Sequence, residues 1–229
     1  MSKSYYSLGL MSGTSGDGVD SSIVQSDGDI EYKVILDKYF KYSQDIYENI
    51  HFLKNKINTS IDLKNLSKEI DSLEKEITIF HAKAANKIIK EFKSNIDFIG
   101  FHGQTVYHNA KEKISKQLGD GKLLSRLTKK TVIYDFRQND LKNDGQGAPL
   151  TAKFHKLLAY KHKFKTPLTF LNIGGVTNLT HIDHLNNMSA WDVGPGNCLI
   201  DQWIRLNSKN RYDQDGKIAR SGKINKIVL

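Results

Sequence analysis

The segment Gly9–Asp20, GLMSGTSGDGVD, joins glycines, hydroxyls and carboxylates within a few residues. Its glycines allow backbone N–H groups to point into one concavity, and Thr14 and Ser15 add hydroxyl donors. Asp17 and Asp20 supply the oxygen ligands that Mg²⁺ prefers. The segment is therefore either an ordinary glycine-rich hairpin or a turn that binds phosphate and magnesium.

A second glycine turn, NIGGVTN at residues 172–178, also follows a predicted strand. The GxxxxGK[ST] pattern of a Walker loop is absent, and the first turn leads into a strand rather than the helix that a dinucleotide-binding fingerprint needs. Gly174, Gly175 and Asn178 repeat the glycine-rich character of the first turn. Two such turns favour a nucleotide cleft closed from both sides over two ordinary hairpins.

Polar residues also follow two predicted strands in the middle of the chain. His102 and Gln104, in FHGQT, follow a predicted buried strand, where ligand contacts commonly lie in α/β sheets. The alternative is that they satisfy the backbone of the next loop. Arg137 begins a glycine-rich loop and either clamps a carboxylate or phosphate or forms a surface ion pair with Asp140 or Asp144.

Asp192 ends a predicted strand just before a Gly-Pro-Gly turn. A carboxylate at the mouth of a cleft can act as a general base. The alternative is a turn-forming or helix-capping aspartate. The spacing of histidines and acids indicates no tight transition-metal site, and no GxSxG elbow supports a serine nucleophile.

Alternating strands and helices must position these residues. Strands are predicted over residues 5–12, 19–27, 30–42, 96–103, 131–136 and 188–194 and over both arms of the 167–183 hairpin, with 114–120 continuing the alternation. Helices are predicted over 43–57, 61–92, 121–129, 149–161 and 196–206, and a further helix begins within 223–229. The polar stretch 137–149 is predicted as a loop. The repeated three-strand meander indicates a duplicated α/β unit with domains at 1–164 and 165–229.

Composition narrows the class of protein. The 229 residues are 38% hydrophobic, which suits a globular chain, and the lone Cys198 rules out an internal disulfide. No apolar stretch approaches the about 20 residues of a membrane helix, and the N-terminus does not resemble a signal peptide, so a cytoplasmic protein is expected. The net charge of +9 is spread along the chain, which argues against nucleic-acid binding.

Six motifs in order resemble the anhydro-N-acetylmuramic acid kinases, which belong to the actin/hexokinase/Hsp70-like sugar kinase superfamily. The resemblance spans nearly the whole chain. The motifs are GLMSGTSGDGVD (9–20), IGFHGQTVYH (99–108), DFRQND (135–140), GQGAPL (145–150), LNIGGVTN (171–178) and DVGPGNCLIDQWI (192–204).

The resemblance implies a duplicated actin-like (ribonuclease H-like) ATPase fold and an ATP- and Mg²⁺-dependent reaction. Such kinases convert 1,6-anhydro-N-acetylmuramic acid and water to N-acetylmuramic acid 6-phosphate in cell-wall recycling. By resemblance, Asp192 activates the water, and Arg137 and the HGQT segment with His102 and Gln104 surround the sugar. The residues that match the ATP-phosphate turn are Gly13, Thr14, Ser15, Gly16, Asp17, Gly18, Val19 and Asp20. A homodimer is also implied.

The chain departs from the family pattern in three places. Gly16 replaces an apolar residue, commonly leucine, which predicts a looser turn. Asp144 replaces a glycine and brings a negative charge near the expected sugar loop. The chain is shorter than the family, so a complete first domain and an incomplete second domain are expected. The alternatives to an active kinase are a non-catalytic remnant that binds sugar or a partner protein, and another kinase or actin-like ATPase of the superfamily.

Overall fold

The computed structural model describes residues 3–227 and divides into two compact units between Lys163 and Phe164. The sequence places the boundary between residues 164 and 165. Among the described helices, none is long and apolar enough to cross a membrane.

Within residues 3–163, unit 1 combines strands and helices in alternation. Its strands are β1 (Tyr5–Ser12), β2 (Gly18–Ser26), β3 (Tyr32–Lys41), β4 (Phe98–Asn109), β5 (Ile114–Leu118) and β6 (Val132–Tyr134). Its helices are α1 (Gln44–Lys56), α2 (Ser60–Asn65), α3 (Ser67–Phe92), α4 (Gly121–Thr128), α5 (Gln138–Lys142) and α6 (Ala152–Lys161).

The sheet of unit 1 is mixed, with the order β3-β2-β1-β4-β5. β1, β2 and β3 form the expected antiparallel meander, whereas β1 pairs in parallel with β4. β4 has two partners along one edge, because its first half pairs in parallel with β6 and its second half pairs antiparallel with β5. The first glycine turn therefore lies between β1 and β2, beside the middle of β4.

Apolar alternation explains which face of the sheet is covered. Leu8, Leu10 and Phe101 are buried against α1 and α3, whereas Met11 on the opposite face of β1 is 43% exposed. Two predicted helix starts have side-chain caps: Ser43 Oγ accepts the Ile46 N–H, and Asp120 caps α4 in the same way. Helices thus cover one face of the sheet where the glycine turn begins.

Unit 2 is described over residues 164–227. Its strands β7 (Leu168–Ile173), β8 (Val176–Ile182) and β9 (Met188–Pro195) form an antiparallel sheet in that order. Its helices are α7 (Cys198–Asn207) and α8 (Lys217–Ser221), with a short 3₁₀ turn at Gln214–Gly216. Much of its apolar surface is exposed in the structure, including Leu171, Ile173, Trp191, Val193, Leu199, Ile200, Trp203 and Leu206.

Three predictions for the elements are wrong in detail. The single helix predicted over 61–92 is two helices separated at Leu66, where ψ is 22°. The prediction missed this break because the apolar stripe continues past the one-residue interruption. The loop predicted over 137–149 contains α5, which is anchored by the buried Leu141; a single apolar residue creates no periodicity to detect. The helix predicted to begin within 223–229 does not form over residues 223–227, and Val228 and Leu229 lie outside the described residues.

The strand predicted to end at Gly103 is also longer than expected, since β4 continues to Asn109. His102 and Gln104 therefore lie inside a strand and do not follow one. A register shift in the β1–β4 pairing pairs Leu10 with Phe101 and Met11 with Gly103, which leaves His102 as the extra residue of a bulge. Bulges redirect side chains, and this one lies next to the glycine turn.

Candidate active site

The first glycine turn is a compact connection between β1 and β2. The Gly16 N–H donates to the Gly13 carbonyl at 3.1 Å, and the Ser15 hydroxyl donates to the Asp17 carboxylate. The Tyr42 N–H donates to the Asp17 carbonyl at 2.9 Å, which ties the turn to the residue that follows β3. The turn is therefore fixed at several of its backbone groups.

Two glycines of this turn are required by its geometry. Gly16 is buried with φ +62°, in the left-handed region that favours glycine, and a Cβ there would lie 2.9 Å from Ile50 Cγ2. A Cβ on Gly18 would lie 2.5 Å from the Phe40 carbonyl oxygen. The glycine at position 16, which departs from the family pattern, thus occupies a buried left-handed site.

Two side chains of helix α1, which the sequence analysis did not single out, contact carbonyl oxygens of the turn. Lys54 Nζ donates to the Thr14 carbonyl at 2.5 Å, and His51 Nε2 lies 3.1 Å from the Ser15 carbonyl oxygen. The i, i+3 spacing of His51 and Lys54 places them on one helix face, a signal that the sequence does contain. The sequence near α1 does not indicate which loop this helix face contacts. The result is a positive group beside the candidate phosphate turn.

Asp17 and Asp20 are the candidate magnesium ligands. Asp20 is exposed, but partial desolvation raises the pKa of its carboxyl above the ordinary value, and the nearby Asp17 carboxylate raises that pKa further. Two carboxylates that repel each other fit a Mg²⁺ ion that keeps several waters and binds through one or two carboxylates and a phosphate. Among the described residues, no cluster of three or more histidine, cysteine, aspartate or glutamate side chains could form a cage.

His102 and Arg137 are in direct contact. Arg137 Nη2 lies 2.8 Å and Nε 3.2 Å from His102 Nε2, while His102 Nδ1 lies 2.8 Å from the Gly103 carbonyl oxygen. Nε2 must therefore accept, so His102 is assigned as the neutral tautomer with its proton on Nδ1. Burial, and secondly the Arg137 charge, lower the pKa of His102 to about 4.

Arg137 also holds the loop after α5. Its Nη1 donates to the Gly147 carbonyl at 2.6 Å, and the Gly147 N–H donates to Asp140 Oδ2 at 2.7 Å. Arg137 and Asp140, which the sequence offered as an ion pair, instead both hydrogen-bond to the backbone of Gly147. Asp144 forms its ion pair with Lys113 instead, at 2.7 Å, and that contact lowers the pKa of Asp144.

Gln104 points away from this pair and toward the first turn. Its Nε2 donates to the Gly13 carbonyl at 3.0 Å, and its Oε1 accepts from Ser12 Oγ at 2.6 Å. The structure thus brings His102 and Arg137 together and places Gln104 under the glycine turn. Because of the bulge in β4, the side chain of His102 points to Arg137 and that of Gln104 points to the first glycine turn.

In unit 2, the second glycine turn connects β7 and β8. The Gly196 N–H donates to the Gly175 carbonyl at 3.0 Å, and the Asn197 N–H donates to the Gly174 carbonyl at 2.8 Å. The segment after β9 therefore fixes the second turn.

The β8–β9 register brings Asn178 opposite Asp192. Asp192 is exposed, and Oδ1 of Asn178 is buried without a hydrogen-bond partner. A buried acceptor thus lies across from the candidate base, in the strand that follows the second turn.

The six sequence motifs occupy these turns and strands, and a family comparison decides what they represent. The family model for anhydro-N-acetylmuramic acid kinase matches residues 5–229. The chain belongs to the anhydro-N-acetylmuramic acid kinase family. The mixed sheet of unit 1, with an antiparallel meander followed by parallel strands, agrees with the actin-like ATPase fold expected of this family.

Curated relatives agree with this family assignment. The chain is 52% identical over 231 residues to the anhydro-N-acetylmuramic acid kinase of Pelagibacter ubique, covering 100% of the chain and 62% of that protein. It is 36% identical to the kinase of the same name from Agrobacterium fabrum, covering 95% of the chain and 60% of that protein. The chain thus spans about three fifths of the length of these relatives.

Among solved structures, a Ppx/GppA family member from Aquifex aeolicus is similar at a TM-score of 0.44 and 14% identity. That similarity covers 87% of this chain and 54% of the solved chain.

Proposed function

We propose that this chain carries the phosphate turn and part of the sugar site of an ATP-dependent anhydro-N-acetylmuramic acid kinase. The reaction combines 1,6-anhydro-N-acetylmuramic acid, water and ATP to form N-acetylmuramic acid 6-phosphate and ADP. The observation that supports it is the family match over residues 5–229. The proposed setting is cell-wall recycling in the cytoplasm, and the proposed assembly is a homodimer.

In unit 1, the first turn is proposed to bind the ATP phosphates. Backbone N–H groups and the Thr14 and Ser15 hydroxyls suit phosphate oxygens, and the Lys54 ammonium adds positive charge beside the turn. Bound Mg²⁺ would neutralise charge on the phosphates, and Asp17 and Asp20 would hold it directly or through water. Phosphoryl transfer depends mainly on positioning and charge neutralisation, which these groups supply.

The sugar is proposed to lie by His102 and Arg137. The guanidinium of Arg137 suits the carboxylate of the muramic acid, and its contacts with His102 and Gly147 fix its orientation. Because His102 is neutral, the pair carries a single positive charge. That arrangement favours an anionic group without the desolvation cost of two adjacent cations.

In unit 2, Asp192 is proposed as the base that removes a proton from the attacking water as the anhydro ring opens at C1. The freed O6 then accepts the γ-phosphoryl group. Gly174, Gly175 and Asn178 are proposed to contact the nucleotide. Asp192 is exposed, as a group that must reach water and substrate has to be.

Measuring ADP release from ATP, Mg²⁺ and the anhydro sugar tests this proposal. Asp192→Asn should lower turnover by at least about 100-fold, because a positioned base contributes on the order of 10²–10⁴. ATP affinity, measured by calorimetry, should change little. The matched control is Asp71→Asn, which removes an exposed carboxylate on α3 and should leave turnover unchanged.

Normal turnover in Asp192→Asn would remove that residue from the base role. Absence of ADP release from the unchanged chain would favour the alternative, a non-catalytic remnant that binds sugar or a partner protein.

A further inference from the structure

Three buried polar side chains lie beneath the first glycine turn. Gln104, Ser12 and Tyr42 are 0%, 1% and 2% exposed, respectively. They come from β4, from the end of β1 and from the residue after β3. Buried polar groups are costly unless they are hydrogen-bonded, so their partners indicate what they do.

Their hydrogen bonds form one connected network. Tyr42 OH donates to Ser12 Oγ at 3.0 Å, and Ser12 Oγ lies 2.6 Å from Gln104 Oε1 and 3.0 Å from the Gly18 carbonyl oxygen. Ser12 has a single proton to donate, and the shorter contact is the one with Gln104. Gln104 Nε2 then donates to the Gly13 carbonyl at 3.0 Å.

This network allows only one orientation of the Gln104 amide. Its nitrogen faces the carbonyl oxygens of Gly13 and Thr105, and its oxygen faces the Ser12 hydroxyl. A flipped amide would bring oxygen against carbonyl oxygen, so the donors and acceptors are matched in one way. With its exposure at 0%, the Gln104 side chain has no surface left to present to a substrate.

The carbonyls at both ends of the turn face this buried network. Gly13 and Gly18 each direct a carbonyl oxygen to a buried side chain, Gln104 and Ser12 respectively. A carbonyl dipole that points into the protein does not repel an anion bound outside. The Gly13 carbonyl also accepts the Gly16 N–H, so its position sets the shape of the turn.

We propose that Gln104 is a positioning residue of the first glycine turn, acting with Ser12, and that it does not contact the sugar. This assignment rests on the proposed nucleotide role of the turn for its functional meaning. The conformational part of the assignment stands on the contacts alone. It replaces the sugar-contacting role that the HGQT motif suggests for Gln104.

Hydrogen exchange in the nucleotide-free full chain tests the conformational part. Ser12→Ala and Gln104→Met each remove a link to the turn, so the Gly16 amide should exchange about tenfold faster, the effect of one net hydrogen bond. The Leu10 amide in the core reports global opening. Its exchange should change less than that of Gly16, which separates a local effect from a general loss of stability.

Ser21→Ala is the matched control. Ser21 is 0% exposed in the neighbouring strand β2, and its hydroxyl has no hydrogen-bond partner in the structure. Ser21→Ala makes the same chemical change as Ser12→Ala, but the exchange rate of the Gly16 amide should stay equal to that of the unsubstituted protein. Equal Gly16 exchange in Ser12→Ala, Gln104→Met and Ser21→Ala would overturn the proposal.

Calorimetric titration with MgADP tests the link to function. Gln104→Met and Ser12→Ala should weaken MgADP binding about tenfold, and Ser21→Ala should leave it unchanged. Faster Gly16 exchange with unchanged MgADP affinity would overturn the functional part. If the unchanged chain binds no MgADP, the proposed nucleotide role fails, while the exchange results still decide the positioning of the turn.

Discussion

Single residues in this protein acquire their charge and role from neighbours that are distant in sequence. His102 and Arg137 lie 35 residues apart, yet burial of His102 and the adjacent Arg137 charge together keep His102 a neutral acceptor. His81 is also neutral, although its hydrogen-bond partner is the nearby Ile77 carbonyl. Its burial in the core outweighs that hydrogen bond and lowers its pKa to about 4. Each histidine is therefore neutral in the folded protein near pH 7.

These two histidines predict how stability depends on pH. Between about pH 6.5 and pH 4 the unfolded chain binds more protons at each of them than the folded chain does. The free energy of unfolding should therefore be highest above pH 6.5 and fall toward pH 4, by up to about 3 kcal/mol for each histidine. Denaturant titrations across this range measure it.

His81→Phe removes one of the two groups while it keeps an aromatic ring near Tyr42 and Phe101. The slope of unfolding free energy against pH should become shallower by up to one proton. An unchanged slope in His81→Phe would show that His81 does not titrate with a lowered pKa.

At the scale of elements, β4 connects the phosphate turn to the proposed sugar site. The bulge in β4 directs Gln104 to the phosphate turn and His102 to the proposed sugar site. Gly103 makes the bulge possible because its φ is +73°. A Cβ at Gly103 would lie 2.5 Å from the Leu118 carbonyl oxygen on β5. The glycine is therefore required by backbone conformation and by the close approach of a neighbouring strand.

Gly103→Ala should consequently destabilise the protein by more than conformational strain alone. Gly28→Ala is the matched control, because Gly28 has φ +84° but no atom within 4 Å of a Cβ. We expect a loss of about 1 kcal/mol at Gly28 from strain and at least about 2 kcal/mol at Gly103 from strain plus overlap. Thermal or denaturant unfolding measures both, and equal losses would contradict the role given to the bulge.

At the scale of the whole molecule, the two units differ in how much apolar surface they bury. The hydrophobic core cluster draws its buried side chains from unit 1, including Leu8, Ile23, Ile77 and Phe101. In unit 2, Leu171 and Trp203 are 58% and 56% exposed. Hydrophobic burial is the main stabilising term in folding, so unit 1 has its own source of stability.

A fragment of residues 1–163 should therefore fold by itself. We expect its far-ultraviolet circular dichroism to show a cooperative thermal transition, with a midpoint within about 5 °C of the unit 1 transition in the full chain. A fragment without a cooperative transition would show that unit 1 depends on residues after Lys163.

The family and most of the elements could be predicted from the amino-acid sequence, because they follow from local patterns. Alternation predicted β1–β3, the Ser43 cap marked α1, and the ordered glycine motifs indicated the kinase family that the comparison confirmed. The domain boundary and the roles proposed for the site residues stay predictions.

The contacts of Gln104 and Lys54 could not be predicted from the sequence, because they depend on how distant segments pack. Gln104 meets Gly13 across 91 residues of sequence, and Lys54 meets Thr14 across 40. The sequence also missed α5, whose single buried anchor, Leu141, leaves no periodic trace. The spacing of apolar residues indicates which face of a single segment packs against the core. Hydrogen-bond partners depend instead on the sheet order and on a one-residue bulge, which are set by packing between distant segments.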